Sequence, residues 1–405
     1  MATEYIPNRD SPTFCILSHT SLAMQNEGDM CVCNKNTESL KDNKHNVIYL
    51  NRNGFDSAWN SYTRKMIMAG LDHGRKLSSC QACWDDEEAG NISVRQQFNQ
   101  KLANVNPSKS QPKIIIIKPT NVCNFGCRNC QPNTSTGLYQ DFFKLDSKRK
   151  YFSGSFKDYT QQFKKIREGF DSANEKIWPI LKDWSKDLIF IDIYGGEPML
   201  APAMWDTLEY AVQNNFSKNI DIQFHTNISI WNEQYVSLLP MFKSAKIGLS
   251  VDSDDSAELE YLRHKSSAPT IQENIVKYIE LSNQYSNISL SITLTVSTYN
   301  VWNLDRILKN LSNYKIPIGI NIVYSPNHYD IRHLPISVKN KLITRFKNNN
   351  ELKFVANMLS HTISGCDIEW PKFCQEVDIL DKIRNQSFAE TFPEFWKEIS
   401  PFWVQ

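Results

Sequence analysis

Three cysteines fall within eight residues in the stretch CNFGCRNC (123–130). Cys123, Cys127 and Cys130 have the spacing C-x3-C-x2-C, and packing alone rarely places thiols so densely. Thiolates bind soft metals. Structural zinc takes four ligands, commonly from paired C-x2-C elements, and this loop supplies three. Iron–sulfur clusters are held by cysteine thiolates, four in the complete set. Three thiolates on a [4Fe–4S] cluster leave one iron open to a substrate or cofactor.

A second group lies near the N-terminus: Cys15, Cys31, Cys33, Cys80 and Cys83. CQAC (80–83) is a C-x2-C pair, and CVC (31–33) sits on an expected hairpin. Spacing alone admits structural zinc and an iron–sulfur cluster equally. A disulfide fits a reducing compartment less well. Cys366 and Cys374 stand eight residues apart in no ligand spacing and read as buried structural thiols.

Other residues with chemical potential close expected strands. In YGGEP (194–198), Gly195 and Gly196 permit backbone torsions closed to other residues. Glu197 offers an acceptor for an ammonium, and Pro198 ends the turn. The plain alternative is a tight turn. SVDSD (250–254) places Ser250 and Asp252 on one side of a strand. Arg263 follows in YLRHK (261–265), and it reads equally as a carboxylate ligand and as a surface arginine. His225, Asn227 and Asn321 also end strands, with a satisfied core histidine as the alternative for His225.

The elements that must position these residues alternate from residue 113 onward. KIIIIKP (113–119), DLIFIDIYGGEP (187–198), IDIQFHTNISI (220–230), KIGLSVDSD (246–254), ISLSITLTVST (288–298) and IPIGINIVYSP (316–326) read as strands. Amphipathic stretches at 203–215, 270–284 and 303–314 read as the helices between them. Six strands separated by helices imply a parallel sheet with right-handed crossovers, short of the eight strands of a full barrel. The cysteine loop then lies at the C-terminal end of the first of these strands, where parallel α/β folds place their sites. The long interval 120–186 is expected to hold a helix or two around 160–184. Before residue 113, two short strands flank a turn at NEGD, a helix spans 55–74, and another spans 87–105.

Composition narrows the function classes. The 405 residues are 41% hydrophobic with a net charge of +1, enough for a sizeable core and too neutral to recruit nucleic acid or an anionic membrane. The basic segment 148–169 reads as a solvated helix face. No run approaches the roughly 20 apolar residues of a membrane span, and the N-terminus has no signal-peptide pattern. The expectation is a cytoplasmic protein.

The C-x3-C-x2-C loop followed by GGEP resembles the radical S-adenosylmethionine (radical SAM) superfamily. The resemblance implies a [4Fe–4S] cluster on Cys123, Cys127 and Cys130 whose open iron chelates the methionine part of S-adenosylmethionine. Gly195, Gly196, Glu197 and Pro198 would bind the cofactor's amino group. Ser250, Asp252, Asn227 and Arg263 would meet its ribose and carboxylate. Reductive cleavage would then give a 5′-deoxyadenosyl radical that abstracts hydrogen. The family often has an aromatic residue before its third cysteine, where this chain has Asn129. The segment 58–90, with CQACWDDEE, is similar to the twitch module, a shortened SPASM auxiliary-cluster domain, here placed first in the chain. Gly28 and Cys33 have that module's Gly-x4-Cys spacing. The module implies an auxiliary [4Fe–4S] cluster on Cys15, Cys33, Cys80 and Cys83, with Cys31 a near neighbour.

The implied fold is α/β: a partial (β/α)6 TIM-like barrel over 111–335, a small α+β twitch domain over 1–110, and a helical C-terminal extension over 336–405. The implied partners are a peptide or small-molecule substrate and an external electron donor such as flavodoxin or ferredoxin. Two other readings stand beside this one. The first is a redox-neutral radical SAM epimerase or rearrangement enzyme acting on a sugar or amino acid. The second is a non-catalytic iron–sulfur or zinc protein, against which the intact GGEP argues.

Overall fold

In the computed structural model, residues 7–25, 28–88, 90, 92–107, 110–146, 177–361 and 363–404 are described. The protein is a mixed α/β molecule with one eight-stranded sheet in the order β2-β1-β3-β4-β5-β6-β7-β8. The strands are β1 (Ser21–Met24), β2 (Met30–Cys31), β3 (Ile114–Ile117), β4 (Phe190–Ile193), β5 (Asp221–Thr226), β6 (Ser244–Ser250), β7 (Ile288–Val296) and β8 (Ile318–Ile322). All six strands expected after residue 113 are present. The chain forms two compact units. One comprises Met1–Asn121, Phe163–Phe224 and Asn232–Lys246, the other Val122–Gln162, His225–Trp231 and Ile247–Gln405.

In the first unit, β3 pairs with β4 in parallel, Ile114 to Phe190 through Ile117 to Ile193, and β4 pairs with β5 in parallel. Side chains alternate across a strand. One face therefore carries Ile115, Ile117 and Ile191. With Trp178, Leu181, Leu188, Met204 and Leu208, these residues line one apolar cavity beneath the helix at 177–184 and the helix Pro202–Gln213. The opposite face carries a buried carboxylate among apolar neighbours: Asp192 stands in register between Ile116 and Gln223, with Tyr194 two residues on.

The two short strands expected near the N-terminus are present, and they join this sheet. β1 pairs in parallel with β3, Ser21 to Ile114, while β2 returns antiparallel to β1. Gly28, at φ +83°, makes the bend between them. Residues Ile16–Thr20 ahead of β1 are helical. The helix expected over 55–74 is two helices, Leu50–Trp59 and Tyr62–Asp72, because the Ser61 side chain accepts from Arg64 N and starts a new helix. Likewise 87–105 is broken. One helix ends at Glu88, Gly90 takes φ +78°, and a Ser93–Gln96 capping box starts Val94–Lys101.

In the second unit, β7 and β8 pair in parallel, Ile292 to Ile318 through Val296 to Ile322. The C-terminal part is helical at Ile336–Phe346, Lys353–Ser360, Cys366–Arg384, Phe388–Thr391 and Pro393–Ile399. Its core is aromatic: Phe388 meets the rings of Tyr261, Phe373 and Phe392 within 6.3 Å. Cys374 is buried as expected, whereas Cys366 is half-buried because it opens a helix facing the Arg332 carbonyl. Of the interval expected to be helical around 160–184, only 177–184 lies among the described residues, and the basic segment 148–169 lies outside them. Among the described residues no helix is long and apolar enough to cross a membrane.

Candidate functional site

The cysteine loop 123–130 is held from its backbone outward. Gly126 N donates to His264 O at 2.9 Å and Arg128 N donates to Leu262 O at 2.8 Å. Cys127 is buried, while Cys123 and Cys130 are half-buried. Asn227 buttresses Cys123: its Nδ2 lies 3.7 Å from the Cys123 Sγ and donates to Asn124 Oδ1 at 2.9 Å. Its own Oδ1 accepts from the Ser229 amide and hydroxyl. A hydrogen bond between Cys127 and Cys130 raises the first thiol and lowers the second, and the Arg263 charge favours both thiolates.

Arg263 and Asp252, expected to meet a cofactor, meet one another. Arg263 Nε donates to Asp252 Oδ2 at 2.9 Å with both side chains buried, and Asp252 Oδ1 accepts from Thr295 N. Burial works against the guanidinium charge, but Asp252 first, and then Cys127 and Cys130, raise its pKa above the ordinary value. Ser250 ends β6 half-buried. His225 is half-buried and bonded through Nδ1 to Thr293 Oγ1 at 3.1 Å, and Asn321 is exposed on β8.

Sequence reasoning missed Arg128. Its side chain is fully buried, with the guanidinium 3.6 Å from the Tyr261 ring centre. It donates to Asp381 on the helix Cys366–Arg384 and to Gln386 Oε1 at 3.1 Å. The one sequence signal was an arginine lodged inside a ligand loop.

In the first unit, YGGEP follows β4. Gly195 takes φ +118°, and a Cβ there would stand 2.4 Å from Thr120 O, so no larger residue fits. Gly196 N donates to that same carbonyl at 2.8 Å. Glu197 is 1% exposed, and its Oε1 accepts from Met199 N at 3.1 Å, capping the turn Pro198–Leu200. Ahead of the glycines, Asn34 Nδ2 donates to Tyr194 Oη at 3.1 Å, and Tyr194 in turn bonds Asp192. Asp192 is 5% exposed, Oδ1 has no partner, and burial raises the carboxyl to about 7.

The N-terminal cysteines gather. Cys15, Cys33, Cys80 and Cys83, drawn from three separate segments, line one cavity with Val32, Asn36 and Arg95. Cys31 is not in its wall: its Sγ donates to Cys33 O at 3.0 Å and accepts from Gln25 Nε2. Burial raises all four lining thiols, Cys33 to about 12. Donors nevertheless face each sulfur. Backbone N–H groups of Leu17 and Ser18 face Cys15, those of Lys35 and Asn36 face Cys33, and that of Arg95 faces Cys83. The Asn36 Nδ2 lies 3.3 Å from the Cys80 Sγ. Such a shell suits sulfur that carries negative charge. Among the described residues no three His, Cys, Asp or Glu side chains converge closely enough to hold one metal ion. A tetrahedral zinc about 2.3 Å from each sulfur would draw the thiols to roughly 3.8 Å apart.

No family model matches the chain, and no curated protein does. Among solved structures it is similar to native anSMEcpe with bound AdoMet, at 16% identity over 61% of this chain and 62% of that one, with TM-score 0.39. It is similar also to Streptococcus suis SuiB bound to S-adenosylmethionine, at 16% identity over 74% of this chain and 61% of that one, TM-score 0.36. A third is the radical S-adenosylmethionine methyltransferase TsrM from Kitasatospora setae with cobalamin and a [4Fe–4S] cluster bound, at 8% identity over 37% and 30%, TM-score 0.30. The chain spans about three-fifths of the length of the first two. Similarity this distant transfers no ligand or activity.

Proposed function

We propose that the chain is a radical SAM enzyme with an auxiliary cluster. The observation that carries this reading is the division of seven cysteines into three in one loop and four around one cavity. Three thiolates leave an iron open for a cofactor, and four close a cluster for electron transfer. A [4Fe–4S] cluster on Cys123, Cys127 and Cys130 would supply the electron that cleaves S-adenosylmethionine to a 5′-deoxyadenosyl radical. Asn227 orients Cys123, and Arg263 with Asp252 supplies buried charge beside Cys127 and Cys130. Gly195 and Gly196 let the Thr120 carbonyl close against the turn after β4, which sets the position of Glu197, and the Glu197 carboxylate is the acceptor for the cofactor's ammonium. The substrate is a peptide or small metabolite that loses hydrogen to the radical, and the electron donor is a small protein such as flavodoxin or ferredoxin in the cytoplasm.

The test is cofactor cleavage. Anaerobically reconstituted protein given dithionite and S-adenosylmethionine releases 5′-deoxyadenosine without substrate. Glu197→Ala weakens cofactor binding and leaves iron content unchanged. Iron-loaded, reduced protein that leaves the cofactor intact overturns the proposal in favour of a non-catalytic iron–sulfur protein.

A further inference from the structure

Asn36 serves two of the four N-terminal sulfurs at once. It is 1% exposed and lines the cavity. Its side-chain Nδ2 lies 3.3 Å from the Cys80 Sγ and 3.1 Å from Ser79 Oγ. Its backbone N–H donates to the Cys33 carbonyl at 3.2 Å and lies beside the Cys33 thiol, whose pKa it lowers. Its Oδ1 accepts from Glu38 N at 3.0 Å, which fixes the amide so that the NH2 end points at the cysteines. The charged side chains on the same wall are engaged elsewhere or reach water. The Arg95 guanidinium donates to Glu87 and to Phe14 O, and Lys35 is exposed. Asn36 is therefore a buried neutral donor held against sulfur by three further contacts, more than closing a loop requires.

We propose that Asn36 is a positioning residue that joins Cys33 to Cys80 and raises the reduction potential of the group these cysteines hold. The inference rests on reading the cavity as a cluster site. A hydrogen bond to a ligating sulfur withdraws electron density and favours the more negative, reduced state. In a buried site that effect is screened little by water. A raised potential makes the site an electron acceptor, the role that net oxidation of a substrate needs and redox-neutral rearrangement does not. It also assigns a purpose to the fourth thiolate: the site is closed, so substrate does not bind its iron.

The experiment uses full-length protein carrying Cys123→Ala, Cys127→Ala and Cys130→Ala, so that the N-terminal cluster alone gives a signal. Redox titration followed by electron paramagnetic resonance compares this protein with the same protein bearing Asn36→Leu. At a fixed poise the reduced-to-oxidised ratio falls about tenfold in Asn36→Leu, which is about 59 mV for a one-electron couple. Asn36→Gln, which keeps a donor amide, recovers part of the shift. Independently, protein labelled with 15N-asparagine shows a nitrogen coupling to the reduced cluster in pulsed resonance spectra, and Asn36→Leu abolishes it. An unchanged midpoint in Asn36→Leu overturns the proposal. Should Asn36→Leu fail to hold iron, the labelled parent decides: coupling supports the proposal and its absence sinks it. A parent protein that binds no iron removes the cluster reading itself, and iron analysis shows that before any potential is measured.

Discussion

At the scale of single residues, the structure separates two thiols that the sequence could not. Cys31 and Cys33 are two apart, so strand alternation gives them the same side. Spacing from Gly28 favours Cys33 by resemblance alone. In the structure Cys33 lines the cavity with Cys15, Cys80 and Cys83, whereas Cys31 is engaged by Gln25 and by the Ala23 and Cys33 carbonyls. Cys33→Ala is expected to lose the N-terminal cluster and Cys31→Ala to retain it. Iron counts and Mössbauer spectra of the two variants check this, and the opposite pattern reverses the assignment. Asp192 yields a second expectation. Burial raises its carboxyl from 3.8 to about 7, so the folded protein holds that proton more tightly than the unfolded chain does. Stability at this group is therefore full below about pH 4, falls as pH rises to about 7, and levels off above. Asp192→Asn removes that loss and gains of order 1–4 kcal/mol on the wild type between pH 4 and pH 8. Urea midpoints measured across this range test it, and parallel curves for the two proteins would falsify the shift.

At the scale of elements, the cysteine loop depends on a helix far along the chain. Arg128 sits between two expected ligands, and its guanidinium is neutralised by Asp381, 253 residues away. Asp381 also accepts from Tyr261 Oη at 2.8 Å and Phe388 N at 2.6 Å, so one carboxylate ties the loop, the helix Ser256–Leu262 and the C-terminal aromatic core together. Removing one partner leaves a buried charge uncompensated, which costs about 3–5 kcal/mol. Asp381→Ala should lower the urea midpoint accordingly and loosen iron at Cys123, Cys127 and Cys130 while sparing the N-terminal site. A variant with the wild-type midpoint and full iron content would refute the dependence. This clasp also shows where sequence reading stops. Strands β3 to β8 were legible because runs such as KIIIIKP are β-branched and bounded by turn residues. The ligand spacing was legible because it is local. The parallel pairing of β1 with β3 and the Arg128–Asp381 contact were not, since neither leaves a periodic trace. The helix break at Ser61 was hidden because apolar residues keep their period across it, and only the serine marks a new start. Glu197 and Arg263 were found as residues, but their observed partners, Met199 N and Asp252, come from folding.

At the scale of the whole molecule, the question is how many metal sites the chain carries and of what kind. Its net charge of +1 gives no field to collect an anionic polymer, so what it concentrates is set locally by thiols. The N-terminal cavity is the discriminating part. Burial disfavours thiolates there, most strongly at Cys15 and Cys33, and the surrounding donors and a bound cation would both offset that cost. Zinc and a [4Fe–4S] cluster both qualify by charge, and four thiolates complete either one, so metal content separates them. On the proposed function, anaerobically reconstituted protein should contain about eight irons per chain and no stoichiometric zinc. Changing Cys123, Cys127 and Cys130 together to Ala should leave about four. Changing Cys15, Cys33, Cys80 and Cys83 should remove the other four and leave cofactor cleavage at the remaining cluster measurable, because abortive cleavage needs only that cluster. Elemental analysis of the three proteins separates the cases. One zinc with about four irons makes the N-terminal site structural and removes the electron-acceptor role. About eight irons in the wild type that all vanish with either set of substitutions would instead mean that the two sites fold as one.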